Sequence, residues 1–377
     1  MRHSREILFA LIRSALGGGA DSSNIVSLSG FVVEDWQKVI KLSFDQGVAA
    51  IAVDGLQKIV ESNPELELTI DSNELENLRY EWFGLVIQTE CNFANYLSSA
   101  KALARLYVGN DMKTLVLKGL VFSECYPSPS HRSSCDLDCY LETDYEKGNL
   151  LVEHSGVTVD RTYFKNSSFN YKGLHVENHH YFTAFRGSRK AKAYERLLQQ
   201  EITLGETRPI FDSDLLAPPI MFSALFCISH AQTHFLTEGI ILRHILDWAL
   251  FRKRHFDEID WSRFESVCQE YGMWQFAQTI TRIGLFLIGE TEYSSLTALD
   301  LRLLDDTMSY SKEKKYNGMR RRGQLVLKSF QAGWKYKNFS DQNVLEHVVQ
   351  RVVGYFERGN DALLGDSVKG HPLHKFQ

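Results

Sequence analysis

Apolar positions in the first hundred residues recur every three to four, the spacing of helices with one buried stripe. Ile7, Leu8, Leu11, Ile12 and Leu16 predict an amphipathic first helix, stopped at Gly17, Gly18 and Gly19. The same spacing returns over 33–60, where Asp45, Gln46 and Gly47 divide it into two helices, and over about 73–108 after Asn63 and Pro64. The period then changes. The short apolar run 114–117 reads as a buried strand stopped by Lys118 and Gly119, and a short helix over 120–126 ends at Pro127 and Pro129. Alternation over 136–141 predicts a second strand. Segments 158–164 and 169–182 read as an antiparallel pair turning at 165–168. Beyond about Leu215 the helical period resumes, over 218–233, 239–254, 261–289, 296–308 and 343–357. The expected fold class is α/β (α+β), a small mixed sheet flanked by N- and C-terminal helical regions. Its expected divisions are 1–110, 111–210 and 211–377.

Composition narrows the classes. In 377 residues, 44% are apolar and 24% charged, which excludes global disorder. A net charge of −5 lacks the basic field that extended nucleic-acid binding needs. The local basic run at Lys312, Lys314, Lys315, Arg320, Arg321 and Arg322 reads as a solvated face, with a phosphate-facing patch as the alternative. Cys91, Cys125, Cys135, Cys139, Cys227 and Cys268 follow no disulfide or zinc-knuckle spacing, which points to reduced thiols. Arg13 interrupts the apolar N-terminal run, and nowhere are 18 consecutive residues apolar. A cytoplasmic protein with no membrane partner is the expectation.

The chemistry concentrates in the middle. Asp136 and Asp138, one residue apart on a strand, share a face and repel each other unless a cation lies between them. Mg²⁺ suits such a pair, because it takes a few carboxylates and keeps substrate phosphates as its other ligands. Glu177, in 175–179 of the neighbouring strand, is the candidate third acid for a two-metal site. Gly119 allows a backbone to approach phosphate at a helix start, and Lys118 and Arg132 supply positive charge. On this view removing the Asp138 charge from an exposed cleft relieves repulsion and leaves stability equal or slightly higher. His179 and His180 could reach the metal site, with a hairpin surface position as the default reading. His230 and His234, one helical turn apart, read as a capped or core-facing pair rather than a zinc site. Arg243 and Asp247 at i, i+4 most simply pair within their helix.

The segment from about Thr114 to Tyr181 resembles the uncharacterised nucleotidyltransferase family within the DNA polymerase beta-like nucleotidyltransferase superfamily. The matching residues are Leu117-Lys118-Gly119, Tyr126-Pro127-Ser128-Pro129, Arg132, Asp136-Leu137-Asp138 and Glu177. Further on, His230, Arg243 and Asp247 match a His-bearing helix followed by Arg and Asp one turn apart, and Trp261 extends that pattern. The sequence departs from the superfamily at the nucleotide turn. Lys118-Gly119-Leu120 stands where Gly-Ser or Gly-Gly-Ser is usual.

The resemblance implies a nucleotidyltransferase-type core that moves an NMP from an NTP to a hydroxyl or phosphate acceptor, using Mg²⁺ or Mn²⁺. Asp136, Asp138 and Glu177 would be catalytic and hold the metal. Lys118, Gly119, Arg132 and Arg243 would bind the nucleotide. The acceptor is a small molecule or protein left unidentified; the core over 114–183 is too small to enclose it with a nucleotide, so its choice is expected to fall to the helical walls. The rival reading is a catalytically inactive module that binds a nucleotide or sugar phosphate and offers its helices to a partner.

Overall fold

A computed structural model describes residues 2–17, 33–62, 72–134, 136–185, 188–310, 333–342, 344–346 and 349. The N-terminal helices are α1 (Arg2–Leu16), α2 (Val33–Asp45), α3 (Ala49–Ser62) and α4 (Ser72–Val108). The apolar stripe of α1 is fully buried: Ile7, Leu8, Leu11 and Ile12 have no exposed surface. Against it lies α3, so close at Gly55 that an added Cβ would sit 1.8 Å from the Leu11 carbonyl oxygen. Only glycine permits that backbone contact.

Helix α4, 37 residues long, serves two cores. Its first half gives Leu78, Trp82 and Val86 to a core that also gathers α1–α3 and the C-terminal helices. Its second half gives Phe93, Tyr96, Ala100, Leu103 and Tyr107 to a smaller core beneath the sheet.

The sheet is mixed and flanked by helices, as the periodicity predicts. Its strands are β1 (Thr114–Val116), β2 (Asp136–Tyr140), β3 (Asn166–Tyr171), β4 (Leu174–His179), β5 (Arg208–Pro209) and β6 (Leu215–Ala217), in the order β3-β4-β2-β1-β6-β5. Helix α5 (Leu120–Ser123) follows β1, α6 (Tyr145–His154) precedes β3, and α7 (Arg189–Leu204) follows β4. The hairpin differs from the sequence reading. The turn is Lys172-Gly173, both with positive φ (50° and 81°), and the reading at 165–168 is wrong by half a strand. Two left-handed residues are what a tight two-residue hairpin requires, and Gly173 supplies one without strain. Of 158–164, only Asp160 bridges to the sheet. Residues 215–217 are a strand, pairing parallel to β1, rather than the start of a helix.

The C-terminal helices are α8 (Ile220–Thr237), α9 (Leu242–Arg254), α10 (Trp261–Glu270), α11 (Trp274–Leu287), α12 (Ala298–Ser309) and α13 (Gly333–Phe339). The pattern over 261–289 is two helices, separated where Gly272 takes a positive φ of 70°. The basic run at Lys312–Arg322, Cys135 and most of the helix expected at 343–357 lie outside the described residues. Among the described residues no helix is long and apolar enough to cross a membrane.

Candidate active site

Strands β2 and β4 run parallel, with Asp136 opposite His175, Asp138 opposite Glu177 and Tyr140 opposite His179. Because side chains alternate, these positions share one sheet face. Lys118 enters from the neighbouring strand, where the Leu117 amide continues the ladder by donating to the Asp138 carbonyl at 2.9 Å. The Lys118 Nζ then lies 3.0 Å from Asp138 Oδ2 and 3.6 Å from Asp136 Oδ2. The expectation of one shared face therefore holds, and Glu177 lies on that face. Asp138 is only 2% exposed, so the acid is buried rather than set in an open cleft.

The electrostatics follow from that burial. Desolvation works against the Asp138 charge, but Lys118 and His179 outweigh it and hold the carboxyl well below the usual range. Burial likewise opposes the Lys118 charge, and Asp138 with Asp136 raises its pKa all the same. Glu177 is lowered chiefly by His179, whose Nε2 lies 3.6 Å from its Oε2. The Glu177 carboxylate also accepts from the Asn166 side chain at 2.6 Å.

For His179 the structure overturns the default surface reading and favours the alternative, a place at the acid cluster. The residue is 1% exposed, with Nε2 2.9 Å from Asp138 Oδ1 and Nδ1 3.1 Å from the Tyr181 carbonyl oxygen. Both ring nitrogens face oxygens, yet a neutral imidazole carries one N–H. If Nδ1–H donates to Tyr181, the Nε2 lone pair is left pointing at the acid cluster. That is the usual posture of a metal-ligating histidine, whose second nitrogen is fixed by a backbone carbonyl. Donor atoms of Asp138, Glu177 and His179 all lie within 4.8 Å of one another, a span that one divalent cation can bridge. Asp138 Oδ2 is buried with no aligned hydrogen bond despite its contact with Lys118. The residues present therefore fit a divalent cation. Asp136, two residues along β2, stands outside this tight donor group, although Lys118 touches both acids.

The remaining candidates separate into two sets. Gly119 turns the chain from β1 into α5 with φ +67°, and a Cβ there would stand 3.0 Å from the Tyr96 hydroxyl, which itself donates to the Asp136 carbonyl at 3.1 Å. Arg132 is committed elsewhere. Its Nε and Nη2 donate to the two oxygens of Asp247, each at 2.7 Å, and the Tyr126 hydroxyl adds a bond to Oδ1 at 2.8 Å. The expected Arg243–Asp247 pair within the helix is thus replaced by a pair between the loop before β2 and α9. Arg243 instead donates from Nη1 to the Ser133 carbonyl at 2.6 Å, and its buried Nε has no partner. Lys118, Gly119, Arg132, Asp136, Arg243 and Asp247 line one narrow cavity of about 50 Å³, room for a phosphate-sized group.

His230, His234 and His244 form a chain of ring contacts beside this cavity, with centroids 4.5 and 6.1 Å apart. Burial lowers the pKa of all three, that of His244 to about 3, which leaves them neutral. Sequence reasoning did not single out Lys165, just before β3, or Glu195 on α7. Glu195 accepts from the amides of Phe182 and Thr183 and from the Thr183 hydroxyl, which fixes the chain leaving β4. No spacing rule marks either residue, since both act through positions distant in sequence.

The comparisons agree with this geometry. No curated protein and no solved structure matches the chain. The model of the family described as uncharacterised nucleotidyltransferase matches residues 33–284, which takes in α2 to α10 and most of α11, the whole acid cluster, Arg132 and the Arg243–Asp247 helix. The chain belongs to that family.

Proposed function

We propose that the protein transfers a nucleoside monophosphate from an NTP to an acceptor and releases pyrophosphate, with a divalent cation held by Asp138, Glu177 and His179 and assisted by Asp136. The observation that carries this reading is the convergence of those donors on one sheet face beside the Gly119 turn. When bound, the cation neutralises charge on the reacting phosphate and orients the attacking oxygen. The nitrogen donor shifts preference from Mg²⁺, which takes oxygen ligands, toward Mn²⁺.

The chain's own residues supply positioning. Arg243, with its unpartnered Nε, and the backbone at Gly119 would bind the phosphate chain. Lys118, which neutralises Asp138 and Asp136, would turn to the phosphates once those acids hold a cation. Arg132 would act on the nucleotide only indirectly, by anchoring α9 and with it Arg243. Most of the rate then comes from orientation and charge neutralisation.

One observation favours binding without turnover: Leu120 stands where the superfamily places a serine hydroxyl. Incubation with the four α-labelled NTPs, Mn²⁺ or Mg²⁺ and a small-molecule extract separates the readings. Label entering a product together with pyrophosphate is the expected outcome. Saturable NTP binding without any product, from every extract tried, would instead leave the binding module.

A further inference from the structure

A larger cavity of about 470 Å³ adjoins the narrow one and shares Phe226 and His230 with it. Lys165 lines it, together with Thr183, Ser188, Ser229, Thr233 and His234. The Lys165 backbone is fixed, since its carbonyl accepts from the amides of His180 and Tyr181 at 2.8 and 2.9 Å. Its ammonium, by contrast, has no hydrogen bond or ion pair among the described residues. Lys190, the other lysine of this wall, is paired with Asp341. An unpaired and partly buried ammonium calls for an anion.

Topology says which substrate comes here. In nucleotidyl transfer the attacking and leaving oxygens lie on opposite sides of phosphorus. The Gly119 turn follows β1, whereas Lys165 leads into β3, and the order β3-β4-β2-β1 puts the acids between them. If pyrophosphate leaves toward Gly119 and Arg243, the nucleophile arrives from the Lys165 side. The other lining groups indicate the rest of that molecule. Ser229 and Thr233 give their hydrogens to the carbonyls of Phe226 and Ser229, so toward the cavity their oxygens offer acceptors. His230 and His234, kept neutral by burial, add polar groups without charge. These suit hydroxyl donors, and a cavity of this size has room for a small molecule.

We infer that this cavity takes the acceptor, a small phosphorylated polyol or sugar whose phosphate is held by Lys165. This rests on the transferase reading above. One oxygen of that phosphate bonds to the α-phosphorus of the NTP as the bond to the bridging oxygen breaks. Pyrophosphate carries away the electron pair, and no proton need be removed from a dianionic phosphate. Lys165 offsets the repulsion between that incoming anion and Asp138 and Glu177.

The test uses the full chain with Mn²⁺ and titrates inorganic phosphate, glycerol 3-phosphate and glycerol by calorimetry. A non-hydrolysable NTP analogue is titrated separately. Two variants accompany the wild type: Lys165→Gln, and Thr233→Trp, which fills the cavity from an exposed position of α8. Phosphate and glycerol 3-phosphate should bind the wild type and glycerol should not. Both variants should weaken glycerol 3-phosphate at least about tenfold, the effect of losing one charge-assisted contact, with unchanged thermal unfolding and NTP affinity within twofold. Equal binding of glycerol, or unchanged phosphate affinity in Lys165→Gln, overturns the inference. So does a loss of NTP affinity in that variant, which would put the nucleotide itself in this cavity. Failure of the wild type to bind the NTP analogue would overturn the transferase reading, a result separate from these.

Discussion

Two clusters of oppositely charged side chains lie near each other in this molecule, and they are built on different terms. In the cluster of Arg132, Asp247 and Tyr126, both carboxylate oxygens are met by guanidinium nitrogens at 2.7 Å and a hydroxyl adds a third bond. Burial opposes the Asp247 charge, and Arg132 overrides it and lowers the pKa. In the cluster of Lys118, Asp136, Asp138, Glu177 and His179, one ammonium is shared by two acids and a histidine has oxygens at both nitrogens. A buried carboxylate oxygen there has no aligned donor. The first cluster is closed and fastens the loop before β2 to α9. The second is short of positive charge and of donors, which is the condition of a site that awaits a ligand.

The difference is broken most severely at Asp138. Asp138→Asn should lower metal-dependent nucleotide transfer by about 10³-fold, since it removes a ligand and a charge together. Because the acid is buried against Lys118 and His179, we also expect stability to fall by about 1–3 kcal/mol, measured by denaturant unfolding. The sequence reading, which put this acid in an open cleft, gave the opposite sign. Full activity in the variant would remove Asp138 from the site.

The closed cluster should respond through stability first. Arg132→Met leaves Asp247 buried and uncompensated, at a cost of about 3–5 kcal/mol. Adding Asp247→Leu to that variant should recover most of the loss, because an apolar pair of similar volume replaces the salt bridge. A double variant as unstable as the single one would mean that the loop is held by something else.

A smaller effect sharpens the role of His179. His179→Gln should weaken Mn²⁺ binding by about 10–100-fold, followed by manganese electron paramagnetic resonance, while the weaker binding of Mg²⁺ changes less. Equal losses for both ions would make His179 an orienter of Asp138 and not a ligand.

The smallest effect concerns His131, which bridges the loop before β2 to the N-terminal helices. Its Nδ1 lies 2.7 Å from Asp54 on α3 and its Nε2 3.0 Å from Glu90 on α4. The Asp54 hydrogen bond raises its pKa above the ordinary histidine value, against the opposing effect of burial. A raised folded value means that this contribution is fully present below the unfolded pKa, near 6.5. It is lost as pH climbs through the higher folded value. Wild type should therefore lose up to about 1 kcal/mol relative to His131→Gln over that rise, and parallel stability curves would dismiss the bridge.

The sequence made some of this legible and hid the rest for physical reasons. Helical stripes such as Ile7, Leu8, Leu11 and Ile12 were readable because burial repeats with the helix. The parity of Asp136 and Asp138 was readable because strand alternation is strict. The hairpin was misplaced because polar Asn166, Ser167 and Ser168 look like a turn, although they pair with β4. Strand β6 was missed because its three apolar residues lie just before the apolar helix that starts at Ile220 and read as part of the same helical region. His179 was read by default as surface because its burial rests on a side-chain contact with Asp138, 41 residues away, which no local pattern encodes.

Helix α4 has a consequence for how the molecule comes apart. Trp82 is counted in one core and Tyr107 in the other, on a single uninterrupted rod, and from its middle Tyr96 reaches the backbone of Asp136. Melting either half of that rod strips apolar cover from the region it serves and slackens the strand that carries the acids. Sheet and helical regions should therefore unfold in a single cooperative step, with coincident curves from tryptophan fluorescence and far-ultraviolet circular dichroism. Amide protons of β2 should then exchange only as fast as those of α3, which packs against the same rod.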